Sequence, residues 1–182
     1  MSWHHETERP ITESLLIITG TMGAGKTSVL AEASDILALR HIAHAAIDLD
    51  ALGLAYLPAA SDTEEVMYSN LECLCANYAA RGVKRLMIAR AMEDRAELAL
   101  SLDIVSATNT VVCRLVAGIE VMEQRVRLRE SGVSQSNYVA RVSELNAVLD
   151  RAQLEDFTVT CENRSITDVA REILIKAGWV SN

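Results

Sequence analysis

Leu15-Leu16-Ile17-Ile18-Thr19-Gly20-Thr21-Met22-Gly23-Ala24-Gly25-Lys26-Thr27-Ser28 begins as a short uncharged run and passes into the pattern G-x-x-x-x-G-K-[ST]. Such a run, ending at a glycine, suits a strand buried on both faces at the centre of a parallel sheet. Just beyond it, Val29, Leu30, Ala33, Ile36 and Leu37 are spaced for one apolar face, so a helix is expected from about Lys26 to Arg40. Strand, glycine loop and helix in that order are the context that a phosphate-binding P-loop requires. Ordinary residue frequencies put a chance match in a chain of this length on the order of one in a hundred or less.

The residue types have a physical reason. Glycine tolerates positive φ and close approach, so successive N–H groups of such a loop turn inward and cage phosphate oxygens. The expected nucleotide contacts are Gly20, Met22, Gly23, Ala24, Gly25, Lys26, Thr27 and Ser28. Lys26, one of three lysines in the chain, is expected to bridge the β- and γ-phosphates, with the Thr27 hydroxyl on Mg2+. The plainer reading is a glycine-rich turn with a solvated lysine.

Outward from the loop the chain alternates. Strands are expected at Ala43 to Ile47, Arg85 to Ala89, Thr110 to Val116 and Phe157 to Thr160. Helices are expected from Asp62 to the stop at Gly82, over Glu93 to Leu102, from Gly118 to about Glu130, from Tyr138 to about Leu154, and from Ser165 to Ala177. Strands alternating with helices imply right-handed crossovers and a parallel sheet covered on both faces. Residues 1–13, polar and holding Pro10, read as a flexible leader before a single domain over 14–182.

Composition narrows the function. Of 182 residues, 50% are hydrophobic and 23% charged, which fits one domain with a full core. Seventeen basic against 25 acidic residues leave a net charge of −8, which argues against coating nucleic acid or anionic membrane. No apolar stretch reaches membrane-spanning length and no secretory signal is visible, so a cytoplasmic protein is expected. Cys73, Cys75, Cys113 and Cys161 form no C-x-x-C pair, which favours a reducing compartment. His41 and His44 have no third ligand nearby in sequence.

The chain carries no N-K-x-D guanine-reading segment and no L-S-G-G-Q signature, which removes GTP switches and ABC ATPases. The strand Arg85 to Ala89 ends in Arg90-Ala91-Met92, without the acidic pair of motor-type ATPases. Acids stand instead at Asp48-Leu49-Asp50, after the strand that follows the P-loop helix. Strand periodicity would send both side chains to one side, near the carboxyl edge where open α/β sheets bind ligands.

On these residues the chain resembles the small-molecule kinases of the P-loop fold, a group that includes adenylylsulfate, gluconate and shikimate kinases and the chloramphenicol phosphotransferase. The resemblance implies a three-layer αβα domain with a five-stranded parallel sheet in order 2-3-1-4-5 and a helical lid over about residues 118–137. It implies that Asp48 serves as base or metal partner and Asp50 as substrate contact. Arg125 and Arg129, four apart and so on one helical face, look like the R-x-x-x-R lid helix that closes over the phosphates, and act in catalysis by that likeness. A solvated basic helix face is the alternative. In Thr160-Cys161-Glu162-Asn163-Arg164-Ser165 the likeness implies adenine contact at Asn163 or Arg164, against simple helix capping by Ser165. Arg90 and Arg95 are candidates for holding an anionic substrate, against salt bridges to Glu93 or Glu97.

The chain lacks the triple-glycine segment of the shikimate kinases after its third strand. Aromatics make up only 4% of it, with Phe157 the single Phe, so no aromatic clamp for adenylylsulfate is evident. The acceptor stays open, as does a homodimer. The expected activity is transfer of the γ-phosphoryl of ATP, with Mg2+, to a hydroxyl of a small molecule. The rival is an ATP-binding sensor without phosphoryl transfer.

Overall fold

In the computed structural model of the chain, residues 12–58, 62–132 and 135–181 are described. The elements run β1 (Thr12–Thr19), α1 (Lys26–Leu39), β2 (Ala45–Asp48), α2 (Leu49–Leu52), α3 (Thr63–Ala79), β3 (Arg85–Ala89), α4 (Arg95–Val105), β4 (Ala107–Val116), α5 (Ile119–Arg129), α6 (Gln135–Ala152), β5 (Phe157–Thr160) and α7 (Ile166–Lys176). The five strands form one parallel sheet in the order β2-β3-β1-β4-β5, as expected for a P-loop αβα domain.

β1 lies at the centre because its side chains suit both faces. Leu15 and Ile17 enter the apolar layer shared with Met67 and Leu71 of α3 and Val105 of α4, while Leu16 and Ile18 enter the opposite layer with Val29 and Leu37 of α1 and Ile173 and Leu174 of α7. All four are essentially fully buried, and each such side chain contributes about 1.5–3 kcal/mol. Register then aligns the strand ends: Ile18 of β1 and Asp48 of β2 both stand opposite Ala89 of β3, so Gly20, Asp48 and Arg90 emerge along one carboxyl edge.

Several boundaries differ from the sequence expectation. β1 takes in Thr12 and Glu13 of the expected leader, because Glu13 and Ser14 N–H groups bond the Lys84 carbonyl and Thr12 is buried; residues 1–11 lie outside the described residues. β4 starts three residues early, drawn out by pairing of Thr12 with Ala107 and Ser14 with Asn109. β2 starts two residues late, at Ala45, after the His44 ring has bonded the Ile42 carbonyl. α4 begins at Arg95 rather than Glu93 because the Asp94 carboxylate caps Ala96 and Glu97 N–H groups. α6 begins at Gln135, whose side chain donates to the Arg127 and Glu130 carbonyls, shortening the turn expected over Ser131 to Asn137.

One difference bears on the site. The chain turns into the short helix α2 at Leu49, so Asp50 is not the continuation of a strand. The period-2 argument for Asp48 and Asp50 therefore fails. The buried Leu49 explains the turn: it drops into the α3-side apolar layer and takes the backbone out of the sheet.

Candidate functional site

The P-loop spans the gap between β1 and α1. At Gly23 a side chain is barred twice: φ is +77°, and a Cβ would overlap the Met122 carbonyl of α5. Gly25 takes φ +97° at the N-cap of α1 with open space around it, so backbone conformation alone requires glycine there. Beneath the loop, Thr21 Oγ1 donates to the Val142 carbonyl at 3.2 Å, and the Thr21 carbonyl accepts from Ala24 N–H and from Lys26 Nζ at 3.2 and 3.3 Å.

Met22, Gly23, Gly25, Lys26, Thr27, Ser28, Asp50 and Arg129 surround a cavity of about 120 Å3 over the loop. Burial lowers the Lys26 pKa from its ordinary value; Asp50 and Asp48 oppose this, and Arg129 and Arg90 add to it. A lysine so surrounded gains from an anion brought against it. Thr27 Oγ1 donates to Asp48 Oδ2 at 2.6 Å, joining the first turn of α1 to the end of β2 across the edge of β3. A hydroxyl and a carboxylate so close beside the glycine loop fit a hard divalent cation. No cluster of three or more His, Cys, Asp or Glu suited to a metal occurs among the described residues, so phosphate and water would have to complete its shell.

Arg125 and Arg129 of α5 do share a face, but their partners differ. Arg125 Nη1 donates to the Gly23 carbonyl and Nη2 to the Cys161 carbonyl, each at 3.2 Å, so it ties the P-loop to the loop after β5. Arg129 lines the loop cavity, and its Nε donates to Glu130 at 2.8 Å. Arg127 turns away and pairs with Glu123. The Cys161 thiol donates to the Ala24 carbonyl at 3.0 Å, beneath the loop.

On the other side of the P-loop, Ala24, Ser28, Val29, Cys161, Arg164 and Val169 border a cavity of about 200 Å3. Arg164 is held there by Glu172 at 2.6 Å and by the Thr160 carbonyl. Asn163, exposed and at φ +55°, forms the turn but is not on the cavity wall. Ser165 caps α7 by accepting from Asp168 N–H, so capping and an arginine on the wall occur together. Cys161 stood in sequence only within the loop Thr160 to Ser165; nothing in its spacing announced its position under the P-loop.

At the far side of β3, Arg90 is gripped by three carboxylates: Asp50 at 2.5 Å, Glu97 at 2.7 Å and Glu64 at 3.3 Å. Burial pulls its pKa down, but hydrogen bonds to Glu97 and Asp50 more than offset this and raise it. Glu97 also accepts from Tyr68, whose phenol burial pushes up to about 12 and keeps protonated. Glu93 pairs with Arg141 of α6. Arg90 thus makes the salt bridge to Glu97, and it also faces a cavity of about 750 Å3 between α3 and α4. Arg95 is exposed at the start of α4 and is not on that cavity's wall, so the structure does not bring it to Arg90. Glu64 and Glu65, which do line it, read in sequence only as first-turn helix acids, and Glu97, also on its wall, only as a salt-bridge partner for the arginines after β3.

No family model and no curated protein matches the chain by sequence. Solved structures match its fold. The APS kinase of Mycobacterium tuberculosis, in complex with AMPPNP and APS, superposes with a TM-score of 0.61 at 19% identity, over 94% of this chain and 100% of its own. The tunicamycin resistance protein of Deinococcus radiodurans gives 0.61 at 18%, over 92% and 97%. A gluconokinase from Sinorhizobium meliloti gives 0.60 at 16%, over 92% and 93%. The chain therefore has the fold of P-loop kinases that act on small molecules. No helix among the described residues is long and apolar enough to cross a membrane.

Proposed function

We propose that this protein transfers the γ-phosphoryl group of ATP, with Mg2+, to a hydroxyl of a small molecule. The observation that carries the reading is the 2.6 Å hydrogen bond from Thr27 to Asp48 beside the P-loop. A carboxylate placed there can hold magnesium through water and take the proton of an acceptor hydroxyl beside the terminal phosphate.

The loop amides from Gly20 to Ser28 and Lys26 hold the triphosphate, and Arg164 borders the base. Thr27 and Asp48 would hold the magnesium ion, Asp48 through water. When bound, that ion neutralises charge between the phosphates. Asp48 accepts the hydroxyl proton as the acceptor oxygen bonds to the γ-phosphorus and the bond to the ADP oxygen breaks. Arg129 adds positive charge over the phosphates, and Arg125 keeps the loop in shape. α5 and the start of α6 act as the lid, excluding water; residues 133–134 of the expected 118–137 lid lie outside the described residues. Asp50 and Arg90 face the acceptor, in or beside the larger cavity.

The test is acceptor-dependent ADP release across a panel of alcohols, run alongside ATP titration. Phosphorylated product that disappears in Asp48→Asn, with ATP still bound, supports the kinase. ATP binding with no acceptor-dependent release anywhere in the panel favours the sensor.

A further inference from the structure

The cavity of about 750 Å3 between α3 and α4 opens on the same sheet edge as the P-loop and is joined to it by the Asp50–Arg90 ion pair, since Asp50 lines the phosphate cavity and Arg90 the larger one. Its volume suits a drug-sized or sugar-sized molecule. Position makes it the acceptor pocket, an assignment that rests on the kinase reading; the chemistry of its wall decides which acceptor enters.

Six of its ten lining residues are acids, Asp62, Glu64, Glu65, Glu93, Asp94 and Glu97, against 25 acids in 182 residues of the whole chain. Positive charge partly offsets them. Arg90 lines the wall and Arg141 pairs with Glu93 from behind. The N-termini of α3 and α4 point here as well, each equivalent to about half a charge. These together leave a deficit of about three charges. Arg90, the one cation among the described residues on the wall, has each guanidinium nitrogen bonded to a carboxylate, so an anion would have to compete with three acids for it. Glu65 makes no ion pair with any described residue, and Tyr68 and Leu100 supply an apolar side.

We propose that the acceptor is a cationic alcohol, an amino- or guanidino-bearing polyol whose ammonium group is held by Glu64 and Glu65 while its hydroxyl reaches toward Asp48. A hydroxy acid would meet like charge in this pocket and would have to break the Arg90 cluster to be paired.

The experiment is a binding screen by saturation-transfer NMR on the full chain, at low ionic strength, with three matched probe sets: amino polyols including glucosamine, neutral polyols including glucose, and hydroxy acids including gluconate. The expected hits fall among the amino polyols, weaken at least tenfold in the double variant Glu64→Gln/Glu65→Gln, and weaken with added salt. Hits led by hydroxy acids or neutral polyols, no amino-polyol hit, or amino-polyol binding unchanged in the double variant would each overturn the proposal. Unchanged thermal unfolding of the double variant, together with the single variant Glu65→Gln, separates lost binding from lost fold. Because the screen needs neither ATP nor turnover, its failure is distinct from failure of the kinase reading, which the ATP titration reads.

Discussion

The Thr27 hydroxyl and the Asp48 carboxylate meet at 2.6 Å, although 21 residues and one intervening strand separate them. On the proposed function, replacing Asp48 with Asn keeps the shape and a hydrogen-bonding partner but removes the charge and the base. Product formation is expected to fall at least ~10^2-fold, with ATP affinity changed by no more than severalfold. Single-turnover product measurement beside a nucleotide titration checks this.

Arg125 and Arg129 are expected to separate cleanly. Arg125→Ala leaves the Gly23 and Cys161 carbonyls without their donor, which costs about 1–3 kcal/mol of stability and weakens nucleotide binding. Arg129→Ala breaks only an exposed contact to Glu130, so stability should move by less than about 0.5 kcal/mol. Turnover should nonetheless fall by about 10^2-fold. Thermal melts and kcat on the two variants give the comparison.

Gly23 and Gly82 share φ +77°, but a Cβ at Gly23 overlaps the Met122 carbonyl and one at Gly82 meets open space. Gly82→Ala is expected to lose about 1–2 kcal/mol from conformation alone. Gly23→Ala should lose ~3 kcal/mol or more and abolish ATP binding. Calorimetric melts on both variants test whether the extra loss comes from the α5 contact.

Lys26 gives the pH dependence. Burial holds its pKa below the ordinary 10.5, and a bound triphosphate would raise it, so binding takes up a proton between those two values. ATP affinity should therefore fall as pH rises through the lowered pKa. Titrations in buffers of different ionisation enthalpy should reveal the proton uptake, and Lys26→Met should remove it. The same shift means that the unfolded chain binds more protons at this position, so its contribution to stability rises with pH up to about 10.5.

The P-loop and the acids after the second strand were legible from local pattern, an uncharged run and a glycine spacing, whereas the sheet order and the pairing of Thr27 with Asp48 about one metal came with the resemblance to P-loop kinases. The period-2 argument for Asp50 failed because one buried Leu49 redirects the chain, and burial of a single residue leaves no periodic signal. The fate of Arg90 was half legible. Glu97, seven residues after Arg90, was one of the two expected partners, whereas Asp50 and Glu64 reach it only through the fold. The acidic cavity was hidden for a related reason: its acids belong to two helix starts some thirty residues apart, each locally explained by capping.

The Cys161 thiol and the Arg125 guanidinium brace the P-loop from segments that lie 137 and 102 residues further along the chain. During synthesis from the N-terminus, the glycine turn leaves the ribosome long before either support exists. On the proposed function, competence to hold a nucleotide would thus be among the last properties the nascent protein acquires, and fragments ending before residue 161 should be made yet remain unable to retain ATP.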